Sequence, residues 1–134
     1  YINIKMGVSA STSLVNYESV KQSNIVLIHI MEDSQRLLIA GSLNAQMETE
    51  RVNDLMSNHE YETKIIVYGK NNHDYDSLLS KQKQLKSLGF KNVYIYLGGM
   101  FEWLLLQDVY GVKEFPTTPG IKPDPLVFMP MNHK

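Results

Sequence analysis

The apolar positions of this chain fall into short continuous runs separated by polar stretches, several of which carry helical spacing. Residues 24–30 (NIVLIHI) are apolar apart from His29. Residues 64–68 (KIIVY) and 92–97 (NVYIYL) form two further runs. Short apolar runs of this kind predict strands covered on both faces, as in parallel sheets. Between them the period changes. Residues 48–56 place Val52, Leu55 and Met56 on one side, and residues 76–88 place Leu78, Leu79, Leu85 and Leu88 on one side, with Lys81, Lys83 and Lys86 turned to water. Gly89 followed by Phe90 predicts the stop of that helix: a left-handed glycine, then an apolar residue folding back. A short helix over 17–22 capped by Asn16, with Val20 inward, and a last helix over about 101–110 complete the pattern.

Strands alternating with helices predict an α/β fold, a three-layer α/β/α sandwich around a mainly parallel central sheet. The right-handed crossover rule gathers the C-terminal strand ends on one edge, where ligand sites of such folds lie. The loops after residue 30, around 41–45 (with Gly41 and Asn44 as turn residues) and at 69–75 are expected to meet there. The organisation reads as an N-terminal arm or edge strand (1–13), one domain (14–110) and a C-terminal extension (111–134). That extension holds all five prolines and is expected to be extended and irregular, held down by Phe115, Leu126, Val127 and Phe128.

With 134 residues the chain is long enough to bury a core of its own. A formal net charge of −1 gives no pull toward nucleic acid or an anionic membrane. Zero cysteine removes disulfides, thiolate metal sites and thiol chemistry, and it fits a reducing compartment, so an intracellular, cytoplasmic protein is expected. No apolar run approaches the roughly 18–20 residues of a membrane span. Met6-Gly7-Val8-Ser9-Ala10-Ser11 fits an N-myristoylation pattern if translation starts at Met6. Membrane association is expected only through acylation of Gly7, and one chain tethers marginally. Heavy use of Asn, Lys, Ile and Tyr suggests an AT-rich genome, such as that of a protist or a large DNA virus.

The chemistry, if any, is expected in the loop Gly69-Lys70-Asn71-Asn72-His73-Asp74-Tyr75. Backbone N–H groups at the start of the following helix suit an anion without needing a thiolate. Lys70 would add charge, and Asn71, Asn72 and His73 would add donors. Asp74 brings the opposite charge, and is read as the cap of that helix. Ser77 lies in the first helical turn with no histidine placed to activate it, and Ser42, Tyr75 and Asp76 are no better placed. A His29–His73 pair lacks metal-site spacing, so neither a metal nor another cofactor is expected. Trp103 is read as a core residue behind Gly98-Gly99, where paired glycines let the backbone approach closely.

Several of these segments resemble a rhodanese-like domain. Gly41-Ser42-Leu43-Asn44 is similar to the family's second element, and Val67-Tyr68 to the strand before its active loop. Leu88-Gly89-Phe90-Lys91-Asn92-Val93-Tyr94 and Leu97-Gly98-Gly99-Met100-Phe101-Glu102-Trp103 resemble the closing element most closely. The resemblance spans roughly 14–110. It implies a cysteine as the first loop residue of catalytic members, where this chain has Gly69. It also implies an Asp where His29 stands and an Arg where Met31 stands. The expectation is therefore a catalytically degenerate member, leaning away from an enzyme, that serves as a protein-interaction or regulatory module with a protein partner. The alternatives are a vestigial sulfurtransferase or phosphatase-type domain that still binds phosphate, sulfate or thiosulfate in loop 69–75, or a membrane-tethered structural component.

Overall fold

A computed structural model describes residues 13–32, 37–118 and 125–130. Gly7 and the arm before Ser13 lie outside the described residues, as do residues 33–36, 119–124 and 131–134.

Among the described residues five strands form one sheet: β1 (Leu14–Val15), β2 (Ile25–His29), β3 (Ser42–Leu43), β4 (Lys64–Tyr68) and β5 (Asn92–Tyr96), in the order β1-β5-β4-β2-β3. All four pairings are parallel. Central strand β4 pairs Lys64 to Tyr68 with Ile25 to His29 on one side and with Asn92 to Tyr96 on the other. Among the described residues three α-helices join strands, α1 (Tyr17–Val20), α2 (Ala45–Ser57) and α3 (Tyr75–Ser87), and α4 (Gly99–Tyr110) follows β5.

Strand residues alternate between two cores, which is why the apolar runs are continuous. One core joins Val26, Ile28, Ile65, Val67 and Ile95 to Val52 and Leu55 of α2 and Leu78 and Leu85 of α3. The other joins Leu27, Ile66, Tyr68 and Tyr96 to Met100, Trp103 and Leu104 of α4 and to Phe115 and Phe128. The three layers expected from the sequence are these two cores and the sheet between them.

Element boundaries differ from the sequence reading where capping or close approach decides them. Helix α2 begins at Ala45 rather than 48, because Asn44 is its N-cap and accepts from Met47 N–H at 2.8 Å. Helix α4 begins at Gly99, two residues early, and includes half of the Gly-Gly pair. The stop of α3 has the expected form: Gly89 has φ +113°, its N–H meets Lys86 O, and Phe90 N–H reaches back to Leu85 O. On α3, Leu88 is exposed rather than inward, and Lys81 is half-buried in an ion pair with Glu48 of α2 at 2.5 Å.

Two described parts of the C-terminal extension make defined contacts with the domain. Residues 116–118 run beside 38–40: Ala40 N–H meets Pro116 O at 3.0 Å, and Thr118 N–H meets Leu38 O at 2.8 Å. Farther on, Pro125–Phe128 forms a 3-10 turn on α4. Phe115 and Phe128 are buried as expected, whereas Leu126 and Val127 are 64% and 73% exposed rather than buried.

Candidate functional site

The C-terminal ends of β2 and β4 and the segment entering β3 meet at one edge of the sheet, and Tyr68 ties them together. Its ring is fully buried, and its hydroxyl accepts from Ile39 N–H at 3.1 Å and lies 2.6 Å from Ser42 Oγ. Ser42 Oγ also lies 2.6 Å from Ile39 O, to which it donates. Burial pushes the Tyr68 phenol up to about 12, against the opposing effect of its hydrogen bonds. Ser42 is therefore a structural link between two loops and not a free hydroxyl.

His29 stands at the end of β2 and is buried. Its Nδ1 accepts from Met31 N–H at 3.1 Å, so it orders the turn after the strand. Met31 lies half-buried beside it and lines a cavity of 350 Å³ together with Ile30, Glu32, Lys70, Asp74 and Ser77. This cavity lies on the edge where the sequence places a site. Among the described residues its charged lining is Glu32, Asp74 and Lys70.

Loop 69–75 leaves β4 as a tight turn. Residues Asn72–Asp74 form a 3-10 turn leading straight into α3, which begins at Tyr75. Asn71 is buried and holds this turn from both sides. Its Oδ1 accepts from His73 N–H at 2.9 Å, and its Nδ2 donates to Phe128 O at 2.8 Å. Asp74 N–H meets Asn71 O at 3.2 Å. Lys70, Asn72, His73 and Tyr75 are exposed at the surface.

Asp74 occupies the N-cap position of α3 but makes no capping bond with its side chain. The carboxylate turns back instead, and its Oδ2 accepts from Lys70 N–H at 2.7 Å. The reason lies at Gly69. A Cβ on that residue would stand 2.5 Å from Asp74 Oδ2 and 3.1 Å from Asp74 Cβ. The carboxylate fills the space into which any side chain at position 69 would project.

The carbonyls of the same loop are held by the start of α4. Met100 N–H meets Gly69 O at 3.0 Å and Phe101 N–H meets Lys70 O at 2.9 Å. Gly99 makes this approach feasible: it has φ +64°, and a Cβ there would overlap Gly69 O. The glycine pair thus serves the loop rather than Trp103. Trp103 is buried one turn farther on, with Nε1 bonded to Pro116 O at 3.0 Å and its ring against Tyr96 and Phe115. Beside the loop, Tyr96 OH donates to Glu102 Oε1 at 2.6 Å, and burial together with that carboxylate drives the Tyr96 phenol far above its ordinary value.

Ser77 lies exposed in the first turn of α3, and its hydroxyl is bonded to no histidine or carboxylate among the described residues. Asp76 and Tyr75 are likewise exposed. No group of three or more His, Asp or Glu side chains comes together among the described residues. Sequence reasoning named the loop residues but missed two contacts that shape it, the close approach at Gly99 and the carbonyl of Phe128. Only the Gly-Gly pair carried a local signal.

A family model described as rhodanese-like domain matches residues 17–106, more than half of the chain. Among curated proteins none matches. Three solved structures from Anabaena sp. are similar in fold. The crystal structure of the Alr3790 protein is 19% identical, with a TM-score of 0.56 over 77% of this chain and 89% of that one. The crystal structure of the Rhodanese_3 like domain of the Alr3790 protein is 22% identical, with a TM-score of 0.51 over 71% and 99%. The solution structure of the rhodanese-like domain of the same protein is 19% identical, with a TM-score of 0.56 over 91% and 96%.

Proposed function

Because this chain belongs to the rhodanese-like domain family, we propose that it is a non-catalytic member, working as a protein-interaction or regulatory module. The observation that carries the reading is at position 69. The family resemblance calls for a thiol there, but this residue has no side chain and the adjoining space holds the Asp74 carboxylate. Sulfur transfer needs a nucleophile that can carry a persulfide, and a hydroxyl such as that of Ser77 cannot do so. Substitutions at the neighbouring positions agree with this. His29 and Met31 stand where the resemblance implies Asp and Arg, and both serve the local turn.

Two features support a docking role. Loop 69–75 is internally braced by Asn71, Asp74 and the start of α4, so it presents a fixed surface. The 3-10 turn packed on α4 and the residue after it expose Leu126, Val127 and Met129. Exposed apolar side chains adjacent in the chain are characteristic of surfaces that meet another protein.

The rival reading is anion binding by loop 69–75. A titration of phosphate, sulfate and thiosulfate, followed by amide shifts at 70–75, separates the two. The interaction reading expects no saturable shift at millimolar anion. Saturation confined to those amides would transfer the assignment to a small-anion site. Acylation at Gly7 is decided independently by the intact mass of protein made in a eukaryotic host.

A further inference from the structure

We infer that Asp74 is the resident anion of loop 69–75: its carboxylate takes the place that a nucleophile's side chain and an incoming anion would otherwise use. This deepens the non-catalytic reading and rests on it. A missing cysteine alone would leave the loop empty but receptive. The geometry describes a loop that is filled.

Three observations converge. First, position 69 points its side-chain direction at Asp74, since a Cβ there would fall 2.5 Å from Oδ2 and 3.1 Å from both Cβ and Cγ of Asp74. Contact with Cβ matters because that atom moves only with the backbone, so rotating the carboxylate away does not fully relieve it. Second, the carboxylate is not idle there. It accepts the Lys70 N–H at 2.7 Å, the first amide after position 69 and one that an anion in the loop would need. A charged acceptor on a backbone N–H makes a short, strong bond. Third, among the described residues the neighbouring cavity of 350 Å³ is lined by the carboxylates of Glu32 and Asp74 and by the Lys70 ammonium. Like charge from these two carboxylates disfavours an anion on that side.

Asp74 is poorly explained as a helix cap. It sits at the N-cap of α3 with φ −85° and ψ 10°, and its side chain makes no cap bond. Alanine tolerates that backbone, so removing the carboxylate frees Lys70 N–H without removing a cap interaction. Asp74 is thus a positioning residue for the closed loop. Restoring the thiol by Gly69→Cys alone places sulfur against a carboxylate, which disfavours the thiolate and strains the turn.

The test compares Gly69→Cys, Asp74→Ala and the double variant. The rate of thiol reaction with an aromatic disulfide at neutral pH is measured, with its pH profile. With Asp74 removed, the thiolate gains an N–H donor and loses a like charge, and the double variant should react about tenfold faster or more than Gly69→Cys alone. Its thiol should also titrate at lower pH. Thermal unfolding gives a second readout. Gly69→Cys should melt below the native chain, and Asp74→Ala should restore part of the loss in the double variant. If Gly69→Cys does not fold, rescue by Asp74→Ala supports the inference in itself. A third readout avoids cysteine altogether: sulfate titrated into Asp74→Ala should shift the amides of 70–75 saturably, while the native chain stays silent. Equal thiol rates and equal pH profiles in the single and double variants would overturn the inference, as would sulfate silence in Asp74→Ala. Turnover of a sulfane donor by the native chain would instead remove the non-catalytic reading and leave the seat of Asp74 standing, so the two failures are told apart.

Discussion

The Tyr68 hydroxyl lies between Ile39 N–H and Ser42 Oγ in a buried position, so one phenol fixes the entry to β3 against the end of β4. Removing it with Tyr68→Phe leaves Ile39 N–H without that acceptor, a loss of about 1–2 kcal/mol. The phenol also makes stability depend on pH. In the folded chain its pKa is raised to about 12 from 10.0, so the folded state holds the proton more tightly than the unfolded one. The contribution is fully present below pH 10 and is lost as pH rises from 10 toward 12. Denaturant titrations between pH 9 and 12 should show native stability falling, and the share due to Tyr68, on the order of 2 kcal/mol, should be missing from the slope of Tyr68→Phe. Parallel slopes would contradict this. At the same scale, the sequence discloses what position 69 lacks but not what fills it. An Asp before a helix has two common uses, capping or a turn bond, and the choice depends on where Lys70 N–H points. That is set by a glycine with no side chain to resist the carboxylate, a steric fact visible only with both residues in place.

Between elements, the C-terminal extension reaches the loop directly. Phe128 buries its ring in the core over α4 and offers its carbonyl to Asn71 Nδ2. Removal of residues 119–134 should therefore cost about 4–8 kcal/mol, the value of an emptied aromatic site plus an orphaned buried amide. Amide exchange should quicken at 70–74 more than in α2 on the opposite face. Unchanged exchange in the loop would break the link drawn here. The pattern of apolar runs was sufficient to read β2, β4, β5 and the helices, because a two-sided parallel sheet writes itself as unbroken hydrophobic stretches; it missed the two-residue strands β1 and β3, too short to carry a pattern, of which β3 lies in a stretch read as a loop and β1 just after the arm 1–13. It did not reveal the pairing of 116–118 beside 38–40, which is made of backbone bonds and needs no particular side chain. Nor did it place the first turn of α4 at Gly99, where the helix starts early because its N–H groups have loop carbonyls to meet.

For the molecule as a whole, the parallel sheet, the two cores and the match over residues 17–106 belong to a rhodanese-like domain. No helix among the described residues is long and apolar enough to cross a membrane. The scaffold thus brings the expected loops to one edge, where side chains brace one another and the backbone: Tyr68 with Ser42, His29 with Met31, and Asp74 with Lys70. The most direct measurement is sulfane sulfur transfer from thiosulfate to cyanide by the purified chain, read as thiocyanate formed and compared with a protein-free blank. The account predicts a rate equal to the blank at any protein concentration. Thiocyanate formation that rises in proportion to the protein, and disappears when loop 69–75 is altered, would contradict it.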